Sequence, residues 1–399
     1  MNLFNLMGKP GLPNILAFQP AGLLGFPSSV EVTDRWSNTG SGVGGGTNSI
    51  RTALGEYFER RHFYKEIVSK DCALLSEFLG EAEVKCFVKV FLQTTSRKMS
   101  SECVEGHRFE MSKVVRVSDF STCYIPAVFI SLSWHGLEKD SPIYPLRDTC
   151  GCSFHWDPEV AFFGAIKEHM ERQFLLRFWL TKKCNSLVCE RQVKSLLENK
   201  KSLALYEALS GAGEVSVLDI SDHAFPGVCI LTVYGQRKEG HHVRYCAGLS
   251  FASGAGEAIE KSLFELWQTF RFVDLFVSLK SDERKIKDAY LRHFLKCNSY
   301  ATYLEVTDVL VSSVSNNVSE HRFDFLGLRS ALSSEKITGY LYSNVSVVEG
   351  VRCVFCKYIS PDLFMHMNNA QGINIENKYS EVFKDSIVQD RLRVMVPFP

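Results

Sequence analysis

The sequence predicts an α+β protein in which mixed or antiparallel sheets support three helices that form a site. Two observations predict this fold class. Apolar residues recur at helical spacing in three separate segments, and runs rich in valine and isoleucine, which favour strands, lie between them. No short repeat, low-complexity linker or clear domain boundary is visible. We therefore expect an N-terminal arm and glycine-rich loop over residues 1–50, followed by one large domain over residues 51–399.

The three helices differ in how clearly the sequence marks their ends. The first is predicted over residues 48–69, with further helical pattern to about residue 95, after an irregular arm. The second begins at Asp157 and Pro158, a typical N-cap followed by proline at the first helical position, and continues to about residue 180. The third covers about residues 256–279. Strands are predicted over residues 113–117, 125–132, 215–220, 228–234, 243–250 and 351–359.

Charge and hydropathy exclude several classes of protein. The 45 basic and 45 acidic residues give a formal net charge of zero, which does not favour nucleic acid or an anionic membrane as a partner. No apolar run approaches the roughly 20 residues that span a membrane. The first 26 residues contain three prolines and lack the basic start of a signal peptide. We expect a cytoplasmic protein.

The thirteen cysteines are interpreted as reduced thiols, because their number is odd and no secretory signal accompanies them. Cys353 and Cys356 have the spacing of a metal site. They lie in a strand pattern, however, where residues three apart point to opposite faces, so we predict buried structural thiols. For Cys150 and Cys152 the same interpretation stands beside that of a thiol pair.

The segment from residue 40 to residue 61 carries the most informative pattern. Glycines let a backbone approach phosphate closely, and the N–H groups at a helix start favour anions. Glu56 and Glu59 are three residues apart, so they share a helical face from which both can contact Mg²⁺. These features predict a metal–nucleotide site, although no Gly-Lys-Ser/Thr of a Walker loop is present. The alternative is an ordinary solvated face with weak surface ion pairs.

The second and third helices carry similar acidic patterns. Glu168 flanks, and Glu171 lies within, an apolar stripe formed by Val160, Phe163, Phe174 and Phe178. A buried carboxylate must be neutralised, paired or metal-bound, so both a salt bridge to Arg172 or Arg177 and a metal role remain open for Glu171. On the third helix Glu265 and Gln268 share the polar face, for which a solvated surface is again the alternative. Carboxylates from several helices can accept ATP only through intervening Mg²⁺.

In this order the segments resemble the YcaO superfamily of ATP-dependent enzymes that modify peptide backbones. Three motifs carry the resemblance: Thr52, Glu56, Glu59 and Arg60 match Ser-x-x-x-Glu-x-x-Glu-Arg; Glu168, Glu171 and Arg172 match Glu-x-x-Glu-Arg; Glu265 and Gln268 match Glu-x-x-Gln. Four longer blocks are similar to the azoline-forming cyclodehydratases of thiazole/oxazole synthetases, namely residues 55–63, 148–155, 366–369 and 395–399. The resemblance spans the whole chain.

The resemblance implies an ATP-dependent cyclodehydratase acting on a ribosomally made precursor peptide. A Ser or Cys side chain attacks the preceding carbonyl, the resulting oxyanion is phosphorylated by ATP, and loss of phosphate leaves an oxazoline or thiazoline. Phosphorylation turns a poor leaving group into a good one, and Mg²⁺ neutralises the charge that shifts in the transfer.

The resemblance also implies roles for individual residues. The expected Mg²⁺ ligands are Glu56, Glu59, Glu168 and Glu171, and the expected nucleotide contacts further include Gly45, Gly46, Thr52, Arg60, Arg172, Glu265 and Gln268. The terminal carboxylate of Pro399 is a candidate general base near the peptide. Three positions depart from the family pattern: Cys150 replaces an asparagine, Gly45 replaces the lysine of Gly-Lys-Gly, and Phe270 replaces an arginine, with Arg271 one residue later.

Such synthetases also need a leader-binding subunit and an FMN-dependent azoline dehydrogenase. The sequence contains no evident module of either kind, so we expect a subunit of a larger complex. Two other functions are weighed against this one. A thioamide-forming enzyme of the same superfamily is disfavoured by the proline-ended tail, and a catalytically silent nucleotide-binding scaffold is disfavoured by the intact carboxylates.

Overall fold

The computed structural model describes residues 14–19, 26–34, 39–67, 69, 71–286, 289–311, 321–348 and 350–398. Over these residues the strands are β1 (Asn14–Gln19), β2 (Ser28–Thr33), β3 (Thr39–Gly44), β4 (Asp71–Ala73), β5 (Phe109–Arg116), β6 (Thr122–Pro126), β7 (Cys152–His155), β8 (Lys183–Cys184), β9 (Ser186–Leu187), β10 (Glu214–Asp219), β11 (Val228–Gly235), β12 (Tyr245–Ala252), β13 (Leu310–Val311), β14 (Tyr340–Val348) and β15 (Val351–Ile359). The helices are α1 (Asn48–Lys65), α2 (Glu81–Thr94), α3 (Ser101–Glu105), α4 (Pro158–Thr181), α5 (Glu190–Leu196), α6 (Ser202–Ala212), α7 (Ala255–Ser278), α8 (Ala289–Lys296), α9 (Tyr300–Thr307), α10 (Phe325–Ser334) and α11 (Lys378–Glu381).

The chain divides into two units, and the first contains described residues between 14 and 57, between 177 and 323, and from 396 to 398. It holds an antiparallel three-stranded sheet, ordered β1-β2-β3, and an antiparallel four-stranded sheet, ordered β12-β11-β10-β9. Helix α7 packs along β12 and β11. Every residue of β12 is buried, because small and apolar residues occupy both faces of this strand.

The second unit contains residues 58–176 and 324–395 among those described. Its strands form an antiparallel sheet ordered β4-β5-β14-β15-β7, and β6 also pairs with β5. Successive side chains on a strand point to opposite faces. On one face, His62 of α1 stacks on Phe355 of β15 at 4.1 Å between ring centroids. On the other, Gly164 of α4 lies against Ser153 of β7. The sheet is therefore covered by α1 on one face and by α4 on the other.

Most of the predicted elements are confirmed, and so is the α+β class. Helices α4 and α7 lie within two residues of their predicted bounds, and β15 covers the predicted residues 351–359. Asp157 caps α4, since its Oδ1 accepts hydrogen bonds from the N–H groups of Glu159 at 2.9 Å and Val160 at 3.4 Å. Cys353 and Cys356 are both fully buried. All thirteen cysteines lie among the described residues as thiols, with no disulfide between them.

Three expectations were wrong. The arm before residue 50 is not irregular, because β1, β2 and β3 form a sheet there. The strand expected over residues 125–132 ends at Pro126, which lacks the N–H that a ladder needs, and residues 127–129 form a 3₁₀ turn instead. Helix α1 ends at Lys65, and the helical pattern beyond it is interrupted by β4 until α2 begins at Glu81. Across the described part of the chain, no helix is long and apolar enough to cross a membrane.

Candidate active site

In the first unit, α1 lies directly against β3 because glycine leaves room for its backbone. A Cβ atom at Gly40 would collide with the carbonyl oxygen of Ala53 and the amide nitrogen of Tyr57. This close approach brings the next strand residue, Ser41, to the carboxylate of Glu56. The backbone N–H and the hydroxyl of Ser41 donate hydrogen bonds to Glu56 Oε2 at 2.6 Å and 3.1 Å. The solvated-face interpretation is therefore wrong for Glu56.

Helix α7 and strand β12 repeat this arrangement. A Cβ at Gly248 would collide with the carbonyl oxygen of Ser262 and the amide nitrogen of Leu266. The next strand residue, Leu249, donates its N–H to Glu265 Oε2 at 2.8 Å. The two pairs share the same spacing. The glycine lies against the amide nitrogen of Tyr57 or Leu266, and the glutamate that accepts the strand N–H is the residue just before it. Glu265, like Glu56, therefore caps a strand N–H group, and the solvated-face interpretation is wrong for it too.

Ser41 also contacts α7, which the sequence did not indicate. The side-chain amide Nε2 of Gln268 donates to Ser41 Oγ at 2.7 Å. Glu56 and Gln268, both predicted site residues, thus meet at one serine hydroxyl. The signal that could have found it is the alternation of Gly40, Ser41 and Gly42, because glycines on alternate strand positions indicate close contact with another backbone.

Negative charge accumulates in this part of the first unit. Glu31 of β2 lies opposite Ser41 in the strand register. Although its side chain is partly exposed, loss of part of its hydration raises the pKa of Glu31, and the neighbouring Glu56 carboxylate raises it further. A cation bound near Glu56 would relieve this repulsion.

The second unit holds the other acidic group. Burial raises the pKa of Glu168 well above its usual value, and the Glu59 carboxylate raises it further. The Arg172 guanidinium lowers this pKa, while the negative charge of Glu171 adds to the increase. Helix α1 contributes to both units, since Glu56 belongs to the first and Glu59 to the second.

Glu171 is nearly buried, as its position in the apolar stripe predicts. Its side chain is 12% exposed, and Lys167 Nζ lies 3.6 Å from its Oε2. The structure pairs Glu171 with Lys167, one helical turn earlier, a partner that the sequence analysis did not name. Arg177 pairs with Asp222 at 2.8 Å within the first unit.

Asp148 organises the loop before β7 and was also missed. Its carboxylate accepts hydrogen bonds from the N–H groups of Cys150 at 3.0 Å and Met367 at 2.7 Å. Its carbonyl oxygen accepts a bond at 3.0 Å from Nζ of Lys357, which is buried. Burial raises the pKa of the Cys150 and Cys152 thiols well above the usual value, so both stay protonated at neutral pH, as the structural interpretation predicts.

The remaining predicted residues are spread along α1 and the chain end. Gly45 and Gly46 lie in an exposed turn between β3 and α1, where an added Cβ would meet no described atom within 4 Å. The Thr52 hydroxyl donates to the carbonyl of Asn48 at 3.0 Å, and Arg60 is partly buried on α1. Pro399 lies outside the described residues.

Arg271, which follows the position of the expected family arginine, forms an ion pair. Nη1 of Arg271 lies 3.1 Å from Asp274 Oδ2, and its guanidinium lies over the ring of Trp267 at 5.6 Å. Arg271 is therefore engaged on its own helix.

The carboxylates fit a metal that arrives with a nucleotide better than a metal held by protein alone. Among the described residues, no group of three or more His, Cys, Asp or Glu side chains is placed to hold a metal ion. Mg²⁺ in nucleotide sites is usually bound by one or two carboxylates together with phosphate oxygens and water. The mutual repulsion of Glu59 and Glu168 is the kind of electrostatic strain that such a cation relieves.

Comparison with known proteins agrees with these motifs. A family model described as "YcaO cyclodehydratase, ATP-ad Mg2+-binding" matches residues 44–338. The chain is 32% identical over 391 residues to the Microcin B17-processing protein McbD of Escherichia coli, and the match covers 97% of each chain.

Two solved structures are similar to this chain over almost its full length. The E. coli Microcin synthetase McbBCD complex contains a chain with a TM-score of 0.85 and 31% identity, covering 99% of this chain and 98% of that one. The same complex with pro-MccB17 bound matches with a TM-score of 0.85 and 30% identity, covering 100% and 99%.

Proposed function

The chain belongs to the YcaO family, and we propose from this premise that it is an ATP-dependent cyclodehydratase. Its substrate is a ribosomally made precursor peptide, in which it converts Ser and Cys residues into oxazolines and thiazolines. The observation that carries the proposal is the 32% identity to a microcin B17-processing protein over 97% of both chains. The related chain occurs in a synthetase complex that has been solved with pro-MccB17 bound.

We further propose that the chain works as a subunit of such a complex, beside a leader-binding subunit and an FMN-dependent azoline dehydrogenase. The matched chain of McbBCD supports this, because the match covers nearly all of both chains. The cyclodehydratase therefore forms azolines, and oxidation to azoles belongs to another subunit.

The two acidic groups are assigned to ATP and Mg²⁺. Glu56, Glu59, Glu168 and Glu171 are the proposed Mg²⁺ ligands, and Mg²⁺ would supply neutralisation of the phosphate charge during transfer. The raised pKa of Glu168, to which the Glu59 and Glu171 carboxylates both contribute, supports a role that needs a cation. Glu265 and Gln268 line the nucleotide site from α7, and the turn at Gly45 and Gly46 offers backbone N–H groups to the phosphates.

The terminal carboxylate of Pro399 is the proposed general base that accepts a proton near the peptide. The residues before it are held by the protein. Val396 and Phe398 are buried, and the hydroxyl of Tyr245 donates to the carbonyl oxygen of Pro397 at 3.0 Å. A general base must be held at one place, and the fixed residues before Pro399 support the proposal.

The proposal is tested by measuring phosphate release and peptide mass together. The chain, reconstituted with its partner subunits, is given ATP, Mg²⁺ and a precursor peptide rich in Ser and Cys. We expect one water lost from the peptide for each phosphate released, and neither change with a matched peptide in which Ala replaces Ser and Cys. Replacement of a backbone oxygen by sulfur would support the thioamide-forming alternative, and binding of ATP without either change would support the scaffold.

A further inference from the structure

The serine at position 41 does more than the strand–helix contact requires. In the α7–β12 pair, the equivalent residue is Leu249, which caps Glu265 with its backbone N–H alone. The backbone N–H of Ser41 caps Glu56 in the same way, at the shorter distance of 2.6 Å. The Ser41 hydroxyl is therefore not needed to hold the helix on the strand.

The Ser41 hydroxyl instead joins two side chains from different helices. It donates to Glu56 Oε2 at 3.1 Å and accepts from Gln268 Nε2 at 2.7 Å. A serine hydroxyl has one hydrogen and two lone pairs, so it can make both bonds at once. The bond from Gln268 fixes which end of its amide faces β3, and the bond to Glu56 adds a second donor to one carboxylate oxygen.

We propose that Ser41 is a positioning residue that couples the Glu56 carboxylate of α1 to the Gln268 amide of α7. This inference rests on the proposed function, in which Glu56 binds Mg²⁺ and Gln268 lines the nucleotide site. Ser41 does not touch the reacting atoms. It holds one metal ligand and one nucleotide contact at a fixed separation, so that ATP meets both in the correct geometry.

The first test removes the hydroxyl and measures the KM for ATP separately from the KM for the precursor peptide. Ser41→Ala keeps the backbone N–H on Glu56, so the protein folds, but it removes the partner of Gln268. We expect the KM for ATP to rise by about 10-fold, the effect expected of a lost hydrogen bond to a charged group. The KM for the precursor peptide stays unchanged. The Kd of a non-hydrolysable ATP analogue with Mg²⁺, measured by calorimetry, rises by a similar factor.

Two further variants separate hydroxyl chemistry from size. Ser41→Thr retains the hydroxyl and restores the KM for ATP. Ser41→Cys has a similar volume but only a weak hydrogen-bonding group, and it behaves like Ser41→Ala. The matched control is Ser253→Ala, since the Ser253 hydroxyl donates to Glu257 on α7 at 2.7 Å and neither residue belongs to the site. This control leaves the KM for ATP unchanged.

A double-mutant cycle tests whether Ser41 acts through Gln268. If it does, Ser41→Ala raises the KM for ATP by a smaller factor in the Gln268→Ala background than in wild type, because the bond between Ser41 and Gln268 is already absent there and only the bond to Glu56 is left to lose. Additive effects would overturn the coupling, and so would a wild-type KM for ATP in Ser41→Ala. Wild-type protein that releases no phosphate with the precursor would contradict the proposed function itself, and the analogue Kd would still decide the role of Ser41.

Discussion

Substitution of Gly40 by alanine tests whether the close contact between β3 and α1 builds the site. The added Cβ would meet three atoms of α1 backbone: the carbonyl oxygen of Ala53 and the amide nitrogen and Cα of Tyr57. Backbone cannot rotate away as a flexible side chain can, so α1 must shift. Overpacking of this kind costs about 1–3 kcal/mol. A shift of about 1 Å also stretches the 2.6 Å bond from Ser41 N–H to Glu56 beyond hydrogen-bonding distance, which adds about 1.5–3 kcal/mol.

The two effects together lower the free energy of unfolding by about 2.5–6 kcal/mol, out of a total of about 5–15 kcal/mol. Because the entropy of unfolding is about 2.1 cal/mol/K per residue, each kcal/mol shifts the Tm of this 399-residue chain by about 1.2 °C, and the Tm falls by at least about 3 °C. The assay is thermal unfolding with and without ATP and Mg²⁺. We expect Gly40→Ala to lose most of the stabilisation by ligand, because Glu56 is displaced.

The matched control is Gly45→Ala in the turn between β3 and α1, where an added Cβ meets no described atom within 4 Å. Its Tm without ligand should lie within about 1 °C of wild type, since surface substitutions usually change stability by less than about 0.5 kcal/mol. A Gly40→Ala protein with wild-type Tm and wild-type ligand stabilisation would refute the reasoning.

Three other outcomes are expected. Glu171→Gln keeps the fold but lowers the rate of ring formation by at least about 100-fold, as loss of a metal ligand implies, and wild-type ring yield by peptide mass would contradict this. A few residues added after Pro399 impair cyclisation while leaving the Kd for ATP unchanged; full ring formation by the extended chain would exclude the terminal carboxylate as base. Burial acts to raise the pKa of Glu83, but hydrogen bonds from Arg116 and Tyr340, both at 2.7 Å, lower it overall. Glu83 therefore stabilises the fold above the usual glutamate pKa, and the benefit is lost as pH falls through its lowered pKa. Glu83→Gln should cost about 1–3 kcal/mol at pH 7, and urea unfolding should show this difference shrinking below about pH 4.

Several features of the site were predictable because they depend on neighbours along the chain. The i, i+3 spacing of Glu56 and Glu59 places both on one helical face, whatever surrounds the helix. Asp157 before Pro158 predicts the start of α4 from local capping chemistry, and the structure confirms it. The apolar stripe around Glu171 predicts a nearly buried carboxylate, which the 12% exposure of its side chain confirms.

Other features could not be predicted, because local pattern does not specify them. Ser41 and Gln268 are 227 residues apart, and they meet only because glycines let α1 lie against β3 while α7 packs beside them. The pairing of Glu171 with Lys167 was not among the possibilities that the sequence left open, and Arg177, one of the two arginines considered, pairs with Asp222. The strand expected to continue past Pro126 ended there, since apolar composition alone does not distinguish a strand from a buried turn.

The sequence by itself determined the fold class, the three acidic helices and membership of the YcaO family, because periodicity, capping and motif spacing are properties of adjacent residues. The tertiary structure alone decided that Glu56 and Glu265 cap strand N–H groups and that Ser41 connects two helices. It also decided that Asp148 and Lys357 support the loop before β7. These contacts depend on how distant backbones approach each other, and although the glycines beside Ser41 indicate a close approach, the partner that approaches is set by packing of the whole unit.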